Sequence, residues 1–271
     1  MKSRTNKVIF ICWISCTLLI ACSRVPISNR SQVNMLPEST LMSMSLTQYR
    51  SFLSQNPPLP ESNPDAAMVK RVGSNISMGV KTFLKNKKQS KRIKNFKWEF
   101  NLVNDPSVNA WCMPGGKVVF NTGILPITQD EVGVAVVMGH EVAHAVARHG
   151  NERLSQQLVV AGGGIGLSLA LQEKPAQTRN MFLAAYGVGS TLGALAYSRT
   201  HESEADKMGL VFMALAGYNP EAAVGFWQRM AQVSAGAAKP PEFLATHPSD
   251  QRRIKDIQDF MPQAKKYYKP K

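Results

Sequence analysis

The feature that most constrains the fold is the pentapeptide His140-Glu141-Val142-Ala143-His144, which lies in a segment with the signals of a helix. Thr128 and Glu131 have the spacing of a capping box, which predicts a helix that begins near Thr128 and ends at Gly150. At about 100° per residue, the two histidines lie about 40° apart on one helix face, one turn apart along the axis. Both imidazoles can therefore reach the same point.

Two imidazoles at this spacing are typical ligands of one tetrahedral zinc ion, and Glu141 can reach a metal-bound water without being a ligand. A catalytic zinc ion needs a third protein ligand. Glu202 and Asp206 are four residues apart, so on a helix their carboxylates share a face. We expect Glu202 to bind the metal and Asp206 to accept an N–H from a liganding imidazole. The expected cofactor is one Zn²⁺ per chain.

Other side chains near these motifs are weaker candidates for the third ligand. His149 would lie about 140° round the helix from the second histidine, which excludes it. Glu204 points away from the helix face that Glu202 and Asp206 share, but it stays open as an alternative third ligand. Glu152 is a further alternative with less support. His149 and His201 are expected to be solvent or core residues.

The N-terminus resembles a bacterial lipoprotein signal peptide. Residues 1–7 carry three cations and no acid, and 8–21 are nearly all apolar, too short a run to span a bilayer comfortably. The run ends in Leu19-Ile20-Ala21-Cys22, which resembles the lipobox, so we expect cleavage before Cys22 and acylation of its thiol. The next position holds Ser23, and a residue other than Asp there resembles the pattern for sorting to the outer membrane rather than for retention in the inner membrane. An uncleaved anchor helix is the alternative.

The charge balance bears on the partners. In 271 residues, 32 Lys and Arg exceed 18 Asp and Glu, a net charge of +14. An exported basic protein meets anionic membrane surfaces, so nucleic acid is not an expected partner.

Cys12 and Cys16 would leave with the signal peptide, so no intrachain disulfide is expected. Cys112 is expected to be a small buried apolar residue, or else a thiolate that caps the metal in a latent form.

The motifs together resemble peptidase family M48, which consists of zinc metalloendopeptidases. The pentapeptide is followed by Glu202-Ser203-Glu204-Ala205-Asp206, and the resemblance covers about residues 65–257. With the lipobox, the chain is most like the periplasmic lipoprotein members. The further matching segments are Asn109-Ala110, Pro114-Gly115-Gly116-Lys117, Arg148-His149-Gly150, Ser198-Arg199 and Thr246-His247-Pro248.

The resemblance implies roles for particular residues. The metal ligands would be His140, His144 and Glu202, with Glu141 as the catalytic glutamate and Asp206 orienting a ligand. Asn109 and Ala110 would belong to an edge strand that adds the substrate backbone as an extra strand. His247 would be catalytic, donating to the developing oxyanion, or would cap zinc in a latent form. A purely structural His247 stays open, and Arg252 or Arg253 could assist.

The expected fold is α+β and zincin-like (gluzincin), mostly helical, with a small antiparallel sheet beside the helix of the two histidines. Strands are expected at 98–103, 109–112 and 117–120. Helices are expected at 64–84, 198–217, 220–234 and 250–260. The expected organisation is a lipoprotein signal peptide (1–22), a tether with a short helix near 46–53 (23–64), a zinc protease domain (65–260) and a basic tail (261–271).

Two features could also be membrane elements. The basic run 81–97 is expected to be a solvated loop or helix face, with a membrane-facing patch as the alternative. The apolar segments 158–171 and 181–197 are short and interrupted by glycines, so a helical hairpin is favoured over membrane spans.

We therefore expect an endopeptidase, lipid-anchored in the periplasm, that cleaves misfolded or misassembled envelope proteins. A non-catalytic assembly factor that holds client chains, and a multi-span membrane protease, are the rival hypotheses.

Overall fold

A computed structural model of the chain describes residues 22–160, 175–186, 197–236, 241–248 and 251–270. Its strands are β1 (Cys22–Arg24), β2 (Ser31–Val33), β3 (Glu99–Val103), β4 (Ala110–Met113) and β5 (Lys117–Asn121). Its α-helices are α1 (Glu38–Gln55), α2 (Pro64–Asn86), α3 (Leu125–Thr128), α4 (Glu131–Ala147), α5 (His149–Val160), α6 (Pro175–Ala185), α7 (Arg199–Leu215), α8 (Ala222–Ala235), α9 (Glu242–Thr246) and α10 (Gln251–Lys265). The mostly helical α+β class is confirmed.

Helix α4 is the centre of the molecule. The Asp130 carboxylate caps it by accepting the Gly133 N–H at 2.7 Å, and every residue from Gly133 to Ala147 is buried. The helix ends at Ala147, three residues before the predicted end, because Arg148 adopts a left-handed conformation with φ 66°. That residue turns the chain into α5.

Helix α7 crosses α4 at two glycines. A Cβ atom on Gly139 would lie 2.9 Å from the Gly209 carbonyl oxygen, so neither helix could approach so closely with a larger residue there. This close crossing carries the acidic residues at the start of α7 to the histidines of α4.

The three-stranded sheet is mixed, with β5 between β3 and β4. β4 pairs antiparallel with β5 through a turn at Gly115 and Gly116, both at positive φ, with Ala110 opposite Phe120. The expected antiparallel pairing holds for β4 and β5, but β3 runs parallel to β5, so the expectation is wrong for this strand. The reason is that β3 pairs on the far side of β5, and not with its sequence neighbour β4. β4 lies at the sheet edge and contacts α4.

The expectation of a tether at 23–64 is wrong. β1 and β2 form an antiparallel hairpin, and Val25 in it is fully buried in the main core. Helix α1 is much longer than the predicted short helix, and it buries Leu41, Ser45 and Tyr49. These residues follow a four-residue period, so one narrow face packs while the remaining Ser, Gln and Asn give the segment its linker-like composition.

The boundary expected at residue 260 also differs. Helix α10 continues to Lys265, because Met261 and Ala264 are buried against the core. In the described part of the chain, no helix is both long enough and apolar enough to cross a bilayer. The signal peptide up to residue 21, and most of the two glycine-interrupted segments, lie outside the described residues.

Candidate metal centre

Two histidines of α4 and one glutamate of α7 converge on one point. His140 Nε2 and His144 Nε2 are 3.0 Å apart. Glu202 Oε1 lies 3.3 Å from His144 Nε2, and Glu202 Oε2 lies 3.4 Å from His140 Nε2. The structure thus places together the three side chains that the sequence assigned as ligands.

A fourth donor comes from the residue that follows α9. His247 Nδ1 lies 3.2 Å from His140 Nε2 and 3.1 Å from Glu202 Oε1. One ligand atom from each of these residues and His144 lies within 4.8 Å of the others, and all four side chains are buried. His247 therefore occupies the fourth position around the point on which the other three converge.

The spacing of these donors fits zinc. Tetrahedral bonds of about 2.0–2.1 Å place neighbouring donor atoms about 3.3–3.4 Å apart. The distances from His140 Nε2 and from the Glu202 oxygens to the other donor atoms are 3.0–3.4 Å. Two or three imidazoles with one carboxylate also match the ligand chemistry that zinc prefers.

Glu141 lies beside this donor group. Its Oε1 is 3.3 Å from His247 Nε2, and this buried oxygen has no hydrogen-bond partner among the described residues. Burial raises the pKa of Glu141 to about 8, and a nearby divalent cation would favour the ionised form. A carboxylate with a proton affinity near neutrality suits a general base.

Asp206 and Arg253 support the first histidine. His140 Nδ1 donates to Asp206 Oδ1 at 2.9 Å, which leaves Nε2 for the metal. Arg253 Nε donates to Asp206 Oδ2 at 2.8 Å, and Arg253 Nη1 lies 2.6 Å from Glu202 Oε2. Burial is the largest single influence and opposes ionisation of both carboxylates, but the charge of Arg253 together with the neighbouring histidines outweighs it and holds their pKa values below the ordinary range. Arg252, the other expected helper, is exposed.

Two aromatic residues outside the sequence motifs shape the site. The Tyr197 ring packs 3.9 Å from the His144 ring and stacks 5.1 Å from that of His247. Tyr197 N–H also donates to Thr246 O at 2.8 Å, which ties the start of α7 to α9. The Trp227 ring lies 3.3 Å from the Arg253 guanidinium carbon. No local spacing indicates either contact, because both join distant segments.

His149, excluded as a ligand, and Glu204, the alternative third ligand, form a second network. Both lie outside the donor group. His149 Nδ1 is 3.0 Å from His144 Nδ1, and His149 Nε2 is 3.0 Å from Glu204 Oε2. Burial lowers the pKa of His149 to about 4, so its ring is neutral. Because α4 ends at Ala147 and Arg148 is left-handed, His149 does not continue that helix, and its ring turns back toward the other ring nitrogen of His144.

Glu152 and His201 extend that network away from the metal point. His201 Nε2 lies 3.0 Å from Glu152 Oε2, and both side chains are buried. Arg30 Nη1 also donates to Glu152 Oε1, at 2.7 Å. Glu152 is thus an internal ion-pair partner outside the donor group.

Asn109 and Ala110 lie where β4 begins. Asn121 N–H donates to Asn109 O at 3.0 Å, which makes these opposed residues a hydrogen-bonded pair. The backbone groups of Ala110 therefore point away from β5, toward the outer edge of β4. The Ala110 N–H donates to Asn109 Oδ1 at 2.9 Å, so a side-chain amide covers this edge.

Cys112 is buried in β4, and its thiol lies 3.7 Å from Met113 O. Burial raises its pKa well above the ordinary value, with Glu141 adding to the effect. This environment favours the expected apolar residue over a thiolate that caps the metal.

Comparison with known proteins agrees with this geometry. The sequence profile of Peptidase family M48 matches residues 75–261. The chain is 34% identical over 242 residues to "Mitochondrial metalloendopeptidase OMA1" of Schizosaccharomyces pombe, covering 89% of this chain and 66% of that protein. It is 31% identical over 254 residues to the protein of the same name from Saccharomyces cerevisiae, covering 90% and 70%. It is 31% identical over 172 residues to "Beta-barrel assembly-enhancing protease" of Yersinia pestis, covering 62% and 35%.

The chain therefore belongs to peptidase family M48. It spans about two thirds of the length of the two yeast relatives and about a third of the Yersinia protein. The predicted class, a metalloendopeptidase with one zinc ion, is confirmed at the level of the family and of the donor group.

Proposed function

We propose that this chain hydrolyses peptide bonds in misfolded or misassembled proteins of the bacterial cell envelope, anchored by lipid at Cys22 and facing the periplasm. The convergence of His140, His144 and Glu202 on one point, with Glu141 beside it, carries the catalytic part of the proposal.

The residues act as follows. When bound by His140, His144 and Glu202, zinc supplies Lewis acidity and lowers the pKa of water at the site. Glu141 accepts a proton from the attacking water at its buried carboxylate, and then returns that proton to the leaving amine. Asp206 holds the His140 ring with its Nε2 toward the metal, and Arg253 keeps the Asp206 carboxylate ionised.

The position of His247 supports a latent form more than an oxyanion donor. Its Nδ1 lies with the three ligands, in the position that a substrate carbonyl needs. Segment 241–248, which carries His247, also lies against the β4 edge proposed to bind substrate. Phe243 N–H donates to the carbonyl oxygen of Val108, the residue before Asn109, at 3.0 Å. Displacement of 241–248 would free the fourth metal position and uncover the edge strand together.

Substrate binding at the β4 edge would read main-chain groups. An extended peptide can pair with the outward-facing N–H and C=O of Ala110 once the Asn109 amide moves aside. Such pairing imposes little preference for side chains, which suits an enzyme that cleaves unfolded segments of many proteins.

The location rests on the N-terminal sequence. The run of fourteen nearly all apolar residues (8–21), whose last three residues form Leu19-Ile20-Ala21-Cys22 with the next cysteine, supports acylation. Relatives include a bacterial β-barrel assembly-enhancing protease. The names of the yeast relatives place those proteins in mitochondria. The location of this chain in the bacterial envelope, at the outer membrane, is therefore proposed from its N-terminal sequence and not from these relatives. Incorporation of labelled palmitate in a bacterial host, lost with Cys22→Ala, tests the anchor. Membrane retention of Cys22→Ala without any label would instead support an uncleaved helix.

The catalytic proposal is tested with Glu141→Gln. This variant keeps a side chain of nearly equal size, so we expect wild-type zinc content with casein cleavage lost. Glu61→Gln is the control, because Glu61 is exposed and does not belong to the donor group. Undiminished cleavage by Glu141→Gln would refute the assigned base. Zinc binding without cleavage in the wild type, even with 241–248 displaced, would favour the client-holding alternative.

A further inference from the structure

We propose that His149, Glu204 and Arg30 form an outer hydrogen-bonded chain that orients His144, so that the β1–β2 hairpin (residues 22–33) is a working part of the zinc site. The inference rests on zinc coordination and does not require that the chain cleave peptides.

The hydrogen-bond directions follow from the ligand geometry. Because His144 Nε2 faces the donor group, its neutral ring carries the proton on Nδ1. That N–H donates to His149 Nδ1 at 3.0 Å, which places the His149 proton on Nε2. His149 Nε2–H then donates to Glu204 Oε2 at 3.0 Å. The orientation of His144 thus depends on a carboxylate that it does not touch.

Arg30 completes the chain by neutralising that carboxylate. Its Nε and Nη2 donate to the two Glu204 oxygens, both at 2.9 Å, which is a bidentate pair. Its Nη1 and Nη2 donate to Glu152 at 2.7 and 2.8 Å. The two carboxylate side chains are only 5% and 7% exposed, so without Arg30 two buried anions would face each other.

Each of the two liganding histidines is connected by hydrogen bonds to a carboxylate that pairs with an arginine, and the two arginines come from different parts of the chain. His140 reaches an arginine through Asp206, and that arginine is Arg253 of α10. His144 reaches Arg30 through one additional imidazole. Metal-binding imidazoles generally need such partners, whose loss weakens metal affinity by roughly 10- to 100-fold.

The hairpin that carries Arg30 is held firmly in place. Arg92 Nη1 donates to Arg24 O at 3.1 Å, and the same guanidinium donates to the final carbonyls of α4, those of Val146 and Ala147. Gln32 is 1% exposed and donates to Glu152. The hairpin is therefore fixed to the end of the helix that carries both histidines.

The test is zinc affinity, measured by chelator competition on the full chain in detergent. We expect Arg30→Met and His149→Phe to raise the zinc dissociation constant roughly 10- to 100-fold. His149→Gln should recover most of the affinity, because its amide can both accept and donate. Arg24→Met is the matched control, since Arg24 lies in the same hairpin but is exposed, and it should change affinity less than about twofold.

Thermal unfolding with and without zinc separates this role from a structural one. The proposal expects a smaller gain in Tm from zinc in Arg30→Met and His149→Phe. An equal loss of Tm in both conditions, with unchanged zinc affinity, would overturn it. If Arg30→Met does not fold, Arg30→Lys keeps the charge but not the bidentate pair, and should bind zinc with intermediate affinity. Repeating the titration in Glu141→Gln makes the result independent of cleavage.

Discussion

The crossing of α4 and α7 at Gly139 and Gly209 gives a prediction that joins stability to the metal site. We consider Gly139→Ala. The added Cβ would lie 2.9 Å from the Gly209 carbonyl oxygen, whereas ordinary contact begins at 3.4 Å. The helices must therefore separate by about 0.5 Å, since the obstructing atoms belong to backbone and cannot rotate away.

Two opposing contributions set the change in unfolding free energy. Overpacking of a well-packed interior costs about 1–3 kcal/mol. Replacing glycine by alanine inside a helix gains about 1 kcal/mol. We expect Gly139→Ala to destabilise the protein by roughly 0–2 kcal/mol, measured by urea unfolding.

The same displacement should weaken zinc binding. Glu202 on α7 lies 3.3–3.4 Å from the two imidazole nitrogens on α4, and a shift of the helices moves these donors apart. We expect Gly139→Ala to lose zinc affinity beyond its loss of stability, with cleavage falling in parallel.

Gly225→Ala is the matched control. It lies within α8, where a Cβ would meet only the end of the flexible Arg229 side chain, at 3.4 Å. This variant should gain up to about 1 kcal/mol and keep zinc affinity. If Gly139→Ala is stabilised as much as Gly225→Ala and binds zinc as the wild type does, the reasoning from close helix approach is refuted.

Further predictions concern the donor group and its charges. His247→Ala should raise casein cleavage if His247 caps the metal, whereas a fall with unchanged zinc affinity would restore the oxyanion role. Glu202→Ala should reduce zinc to well under one ion per chain, while Glu204→Ala should retain zinc at reduced affinity; equal zinc loss in both would contradict the ligand assignment. Arg30 and the buried histidines lower the pKa of Glu152 and Glu204 from 4.5 to about 2, against the effect of burial. This stabilisation is therefore present above about pH 4.5 and lost as the pH falls toward 2; unfolding titrations should show a weaker acid dependence in Arg30→Met.

Local sequence determined the core of the metal site. A helix repeats every 3.6 residues, so a separation of four places His140 and His144 together wherever α4 lies. The same rule places Glu202 and Asp206 on one face of α7. These relations need no knowledge of the tertiary fold. In the structure His140, His144 and Glu202 converge on one point, and Asp206 lies behind them, 2.9 Å from His140 Nδ1.

Tertiary structure decided which distant residues complete the site. His247 and Arg253 reach it through the packing of α9 and α10, and Arg30 reaches it from a hairpin that the sequence suggested was a tether. The polar composition of residues 23–64 indicated a tether, and that expectation is wrong. One buried face of α1 and the buried Val25 of the hairpin are enough to pack this polar segment against the rest of the protein. Spacing along a chain fixes only neighbours within one element. Contacts between elements depend on the shapes that fill the core, and for these the sequence offers no local signal.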